Sequence, residues 1–389
     1  MTPRPPTGVR PATDPRTAPA ATTTRPGGGF RWRLADEEPT GQAAMFTTDE
    51  VLTRITGTGR LSGLEFLHVN ARRIINEVPS ESRMPFRHTI NAYRGCSHAC
   101  TYCFARPTHA WLGLDTGRDF ERKIVVKINA VERLRVEISA ARWAGDPIAM
   151  GTNTDPYQRC EGKYELTRGL LRVLGDAGNP FSILTKSPLV LRDLDLLTAA
   201  ARRAQVTVNL SIGTLDRDLW RASEPGAPDP RRRVEAVRRL TEAGIRCGVL
   251  IAPVIPGLSD GEDQLAAVVD AVVDAGAVSV GSVALHLRPG VREHALGWLA
   301  RYRPNLVAEY TDRYRRSYLP DPERKAISMT VNDLVARARA RSAGRPVPAT
   351  NLPAPGGPEA GLPTTGLPAT GVPAVGLPAA TDVARPVGA

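Results

Sequence analysis

Three cysteines stand close together in Arg94-Gly95-Cys96-Ser97-His98-Ala99-Cys100-Thr101-Tyr102-Cys103. A C-x3-C-x2-C run on one loop can wrap a metal centre, because each side chain supplies a thiolate. Two chemistries compete for it. Tetrahedral zinc needs a fourth ligand, and structural zinc sites typically arrive as two paired C-x2-C elements. The chain has no second pair, so His98 inside the loop or His109 beyond it would have to complete a site of three cysteines and one histidine. An iron–sulfur cubane that only carries electrons takes four thiolates. Three leave one iron without a protein ligand, and that iron is open to bind and activate a small molecule. Five cysteines in 389 residues, an odd number, exclude a small disulfide scaffold.

Further chemistry-bearing residues recur along the chain as Thr152-Asn153-Thr154-Asp155, Lys186-Ser187, Ser211-Ile212-Gly213-Thr214 and the less polar Val254-Ile255-Pro256-Gly257. Each follows a short apolar run that reads as a strand. Six such runs are present, about His88–Tyr93, Pro147–Gly151, Phe181–Thr185, Val206–Ile212, Cys247–Pro253 and Ser279–Leu285. Stretches with apolar spacing near 3.6 lie after them, about Asn129–Trp143, Leu166–Asp176, Val190–Arg203, Pro230–Ala243, Gly261–Ala275 and Val291–Arg301. Strand–helix alternation of this kind predicts an α/β fold with a parallel sheet. No G-x-G-x-x-G follows the first strand and no G-x-x-x-x-G-K-[ST] occurs, so a doubly wound nucleotide-binding fold lacks its fingerprint. The expectation is a partial TIM-type (β/α)6 barrel with an N-terminal extension, C-terminal helices and disordered tails. In a barrel, function sits at the C-terminal ends of strands, where these polar segments and the cysteine loop would line one mouth.

The expected organisation has five parts: a disordered tail over 1–29, an extension over 30–85 packing on the barrel, the barrel over 86–303, a helical segment over 304–343 and a disordered tail over 344–389. The first tail holds 7 of the 34 prolines and the last holds 10, with Gly-Leu-Pro or Gly-Val-Pro recurring every five residues. Such composition cannot repay ordering entropy by burial. The formal charge is +11; residues 1–29 carry +3 and 344–389 carry none, which leaves +8 on the body. A basic body attracts nucleic acid, although abundant arginine also follows from composition, and runs such as Arg231-Arg232-Arg233 read as solvated helix faces. No apolar run reaches the length of a membrane span, and no apolar signal opens the chain. The expectation is a cytoplasmic protein in a reducing compartment.

The cysteine loop after the first strand of a six-strand β/α body, with Tyr102 just before the last cysteine, resembles the radical S-adenosylmethionine superfamily. The strand-end motifs, Gly151 to Gln158, then Thr185-Lys186-Ser187, then Ser211-Ile212, resemble its branch related to spore photoproduct lyase, over about residues 85–290. The resemblance implies that Cys96, Cys100 and Cys103 hold a [4Fe–4S] cluster whose fourth iron is chelated by S-adenosyl-L-methionine. Reductive cleavage would give a 5′-deoxyadenosyl radical that abstracts hydrogen from a substrate, with nucleic acid one substrate class, and an electron donor of flavodoxin or ferredoxin type as partner. It further implies Tyr102 near cluster and adenine, Thr154 and Asp155 on the methionyl ammonium, Lys186 on its carboxylate, Ser211 on ribose or carboxylate, and Ile255 and Gly257 flanking adenine. In that branch a cysteine near the second strand end returns a hydrogen atom to the product radical. Asn153 falls near that place here, and Cys160 on the following loop is the candidate donor. The rival reading is a zinc-containing nucleic-acid-binding protein without catalysis.

Elsewhere the expectations are plainer. Cys247 reads as core. His286, at the end of the sixth strand, is a candidate to face the mouth. Tyr310, Tyr314 and Tyr318, spaced by four, read as a packed helix face, with stacking on nucleic acid as the alternative.

Overall fold

A computed structural model describes residues 51–79 and 84–342. The tails predicted over 1–29 and 344–389 lie outside the described residues. The described chain opens with five short strands: β1 (Val51–Thr56), β2 (Glu65–Val69), β3 (Ile75–Glu77), β4 (His88–Ile90) and β5 (Tyr93–Arg94). The cysteine loop, helix α1 (Arg118–Arg122), strand β6 (Lys123–Lys127) and helix α2 (Ala130–Ile138) follow. Strands and helices then alternate: β7 (Ile148–Met150), α3 (Glu161–Tyr164), α4 (Leu166–Asp176), β8 (Phe181–Thr185), α5 (Leu194–Ala201), β9 (Val206–Ser211), α6 (Arg217–Ser223), α7 (Pro230–Glu242), β10 (Arg246–Val254), α8 (Glu262–Asp274), β11 (Ser279–Ala284) and α9 (Val291–Tyr302). Helices α10 (Val307–Arg313) and α11 (Asp321–Ser342) complete the described chain.

Six strands pair in parallel in the order β11-β10-β9-β8-β7-β4, and β3 adds antiparallel beside β4. These are the six strands predicted from the apolar runs, and the fold is a mixed α/β partial TIM-type barrel. Alternation explains the pleat: in β9, Val206, Val208 and Leu210 are buried while Thr207 and Asn209 are half-buried. Helix spacing explains the outer layer, as in α4, where Leu166, Leu170, Leu171 and Leu174 bury one face.

A second sheet, β1-β2-β6-β5, was not legible in the sequence. Strands β1 and β2 pair antiparallel, β2 and β6 parallel, and β5 and β6 antiparallel. The run His88–Tyr93, read as one strand, is divided between the two sheets. Asn91 marks the division. Its Nδ2 donates to Thr152 Oγ1 (3.1 Å) and its Oδ1 accepts from the Asn153 amide (3.1 Å). The cysteine loop is thereby suspended from β5, with the open end of the parallel sheet beside it.

Helix α11 lays Val331, Leu334, Val335 and Ala338 into the main core, at the i, i+3, i+4, i+7 spacing of one helix face. Tyr310 and Tyr314 are buried in a second apolar cluster with Ile255, Leu285 and Trp298, as a packed face. Tyr318 is not part of that face and lies against His286.

Candidate metal and cofactor site

The chain enters the cysteine loop through Gly95, at φ +79°. A Cβ there would lie 2.9 Å from both the His109 ring and the Phe120 carbonyl, so glycine is required twice over. Cys96 and Cys100 are buried, and Cys103 is half-buried. Burial pushes the Cys96 thiol well above its usual range, and Asp155, Cys100 and Cys103 push it further. Burial likewise raises Cys100 and Cys103. Buried thiols that oppose one another's ionisation gain most from a bound cation. The hydroxyls of Ser97 and Thr101 on the same loop are buried without a hydrogen-bond partner, which fits a loop that encloses a further polar group.

The histidines needed for a zinc site are held elsewhere. His98 Nδ1 lies 3.3 Å from Asp155 Oδ2, and His109 Nε2 donates to the Lys123 carbonyl at 2.9 Å. Among the described residues no three His, Cys, Asp or Glu side chains converge on a point that one metal ion would occupy. A cubane cluster places each thiolate on a separate iron, so three thiols without a fourth ligand fit it better.

The second strand end braces the loop. Thr154 Oγ1 donates to the Gly95 carbonyl (2.6 Å) and accepts from Gln158 Nε2 (2.9 Å). Gln158 also donates to the Gly95 carbonyl (3.1 Å) and accepts from the Ser97 amide (2.9 Å). Asp155 Oδ1 accepts from the Tyr157 amide (2.8 Å) and the Thr185 hydroxyl (2.7 Å), and Oδ2 from the Lys186 amide (2.8 Å). Burial would raise its carboxyl, but His98 beside it and these donors hold it below the usual value. In this state Asp155 is an organiser of the mouth, with its oxygens already engaged.

A buried charge network backs the loop's other side. Lys186 Nζ donates to Ser211 Oγ (2.8 Å), lies 3.1 Å from Glu224 Oε1 and sits 5.7 Å from the centre of the Tyr102 ring. Ser211 in turn donates to the Ala252 carbonyl at 3.0 Å. Glu224 also accepts from the Tyr102 hydroxyl and from Arg233. Its segment forms the wall behind the cysteines: the Thr101 amide donates to Ser223 O (2.9 Å), and the Gly226 amide to His98 O (3.0 Å).

The structure thus gathers Cys96, Cys100, Cys103, Tyr102, Thr154, Asp155, Lys186 and Ser211 around one mouth. Ile255 is buried in the apolar cluster against which Tyr102 packs. Gly257 lies farther out, at φ +70° on an exposed turn, its amide donating to Asp260 Oδ1 (2.7 Å). Asn153 is exposed at the strand end, whereas Cys160 is fully buried in the main core, where burial and Glu161 raise its thiol. That placement is a packing position in the core. Cys247 is core, as expected. Sequence reading gave Gln158 no role beyond the motif that it ends, and missed Glu224 and Arg233. Arg233, read as part of a solvated face, is 1% exposed. Its signal was an arginine in the stripe Pro230, Ala236, Val237 and Leu240; Glu224 gave none.

This geometry is that of a barrel whose first strand end carries a thiolate loop. The family model described as the radical SAM superfamily matches residues 90–269. An uncharacterized protein of Mycobacterium tuberculosis is 42% identical over 298 residues, which is 76% of this chain and 88% of the relative. One from Methanocaldococcus jannaschii is 32% identical over 203 residues, 52% of this chain and 72% of the relative. Among solved structures, spore photoproduct lyase complexed with dinucleoside spore photoproduct has a TM-score of 0.52 at 16% identity, covering 70% of this chain and 79% of that one. A variant of that lyase with bound AdoMet and the same photoproduct has a TM-score of 0.52 at 17% identity, with the same shares covered. These likenesses show a shared fold. The chain belongs to the radical SAM superfamily and is an enzyme of radical chemistry, a family that implies an iron–sulfur cluster and S-adenosylmethionine. Among the described residues no helix is long and apolar enough to cross a membrane.

Proposed function

We propose that Cys96, Cys100 and Cys103 hold a [4Fe–4S] cluster, that S-adenosylmethionine binds beside it, and that the substrate is nucleic acid. When bound, the pair supplies an electron transfer that splits the sulfonium and yields a hydrogen-abstracting 5′-deoxyadenosyl radical. The observation that carries the proposal is the set of three thiols, Cys96 and Cys100 buried and Cys103 half-buried, on the loop that β5 carries beside the barrel, flanked by unpartnered hydroxyls. The protein's own part is to bind, orient and exclude water. Lys186 supplies a cation for the methionyl carboxylate, already aligned by Ser211 and Glu224. Thr154 and Asp155 fix the loop, and the Asp155 carboxylate sets a negative charge at the ammonium end. Tyr102 and Ile255 give an apolar wall for adenine, and Gly257 a side-chain-free turn at its edge. The basic body and the fold shared with a lyase solved with a dinucleoside photoproduct support nucleic acid as the substrate class. Electrons would come from a small flavodoxin- or ferredoxin-type donor.

The test is anaerobic reconstitution. About four irons per chain and brown visible absorbance are expected, with dithionite-dependent release of 5′-deoxyadenosine. Cys96→Ala should lose both. A full cluster that leaves S-adenosylmethionine intact would overturn the reading.

A further inference from the structure

Phe104 follows the last cysteine directly and is 39% exposed, so part of its ring is open to a partner. Its ring lies 5.9 Å from that of His286, which stacks on Tyr318 at 5.4 Å and 19°. Three rings from three separate segments therefore form one ladder beside the mouth. The ladder is held by backbone: residues 286 and 318 form an antiparallel bridge, and the Leu287 amide donates to Ser317 O at 2.8 Å. Tyr314, fully buried, donates its hydroxyl to Leu285 O at 3.1 Å and fixes the same corner. Burial and Arg288 lower the His286 imidazole to about 4, so its ring is neutral at physiological pH. The segment that carries His286 and Tyr318 is net basic: residues 286–325 hold nine Arg or Lys against five Asp or Glu, with Arg313, Arg315 and Arg324 ion-paired inside it, and the Arg324 guanidinium lies 5.6 Å from the centre of the Tyr318 ring.

We propose that Phe104, His286 and Tyr318 form a stacking platform that receives an unpaired base of a single-stranded polynucleotide. The proposal rests on the reading of the neighbouring cysteine loop as the radical site, because only there does a base on Phe104 lie one residue from the chemistry. An aromatic face takes any base, and surrounding arginines take its phosphates, which is how single strands are held. A base inside a duplex offers no free face, so the substrate is single-stranded or locally opened.

The test uses the full reconstituted chain and the fluorescence anisotropy of a labelled oligothymidylate, without reductant. Wild type should bind the single strand more tightly than the same sequence as a duplex. Phe104→Ala and Tyr318→Ala should each weaken binding about tenfold, and Phe104→Trp should restore it. Phe104→Leu keeps apolar bulk without a ring and should behave as alanine; circular dichroism of each variant confirms folding. Equal affinity of all four variants, no binding by wild type, or equal competition by free thymidine monophosphate or an acidic peptide would overturn the platform. Because binding is read without turnover, it can fail while S-adenosylmethionine cleavage succeeds, and the converse.

Discussion

Glu224 sets one carboxylate against two cations, with Glu224 and Arg233 buried and Lys186 15% exposed. Burial alone would raise its carboxyl, but Arg233 and then Lys186 reverse that and bring it to about 2 from an ordinary 4.5. A folded value below the unfolded one contributes stability that is complete above pH 4.5 and is lost as the pH falls toward about 2. Glu224→Gln removes the charge and leaves Lys186 and Arg233 buried without a counter-ion. Breaking a buried pair from one side costs about 3 kcal/mol or more, so the urea midpoint at pH 7 should fall, and the acid limb of the stability curve should flatten. An unchanged midpoint would mean that water reaches the network. Lys186 was legible because it follows the end of a strand; Glu224 was not, because only the folded chain brings residues 102, 186, 224 and 233 together.

The six parallel strands were legible because each is an apolar run bounded by turn residues, and the cysteine loop because its spacing is local. The second sheet had neither advantage. Its strands span two to six residues, and the apolar Ile124-Val125-Val126 run of β6 is flanked by lysines and not by turn residues. Nor does periodicity report which loops touch. The turn after α6 presses on the cysteine loop so closely that a Cβ at Gly226 would lie 2.1 Å from the Ser97 carbonyl. That contact is backbone, which cannot rotate away, so Gly226→Ala must displace one loop or the other. We expect iron uptake on anaerobic reconstitution to fall by more than half while far-ultraviolet circular dichroism is retained. Gly162→Ala, in α3 with nothing within 4 Å of the added atom, should take up iron as wild type does. Equal uptake by both variants would show that the wall behind the cysteines is pliable.

At the scale of the molecule, two apolar clusters have to hold one mouth in register. The main core lies between the barrel sheet and its helices, and the second gathers α9, α10 and the ends of β10 and β11. Helix α11 belongs to both: Val331, Leu334, Val335 and Ala338 enter the first, and Ile327, one turn earlier, packs against each. The same helix lies over α8 and β11, the last strand of the open sheet. It thus closes an edge that would otherwise expose unpaired backbone and ties His286 and Tyr318 to the barrel. Val331 is fully buried, so Val331→Asp places an unpaired charge in the main core at a cost of roughly 4 kcal/mol. At about 2–4 °C per kcal/mol for a domain of this size class, the melting temperature should drop by around 10 °C. Val136→Asp on α2, where the side chain is 60% exposed, should change stability by less than about 0.5 kcal/mol. Because α11 clasps both clusters, wild type and Val331→Asp should each melt in one transition, with far-ultraviolet and near-ultraviolet signals coincident. Two separated transitions in wild type would show that the clusters fold independently and that α11 is a cover on the barrel, without a part in holding the mouth together.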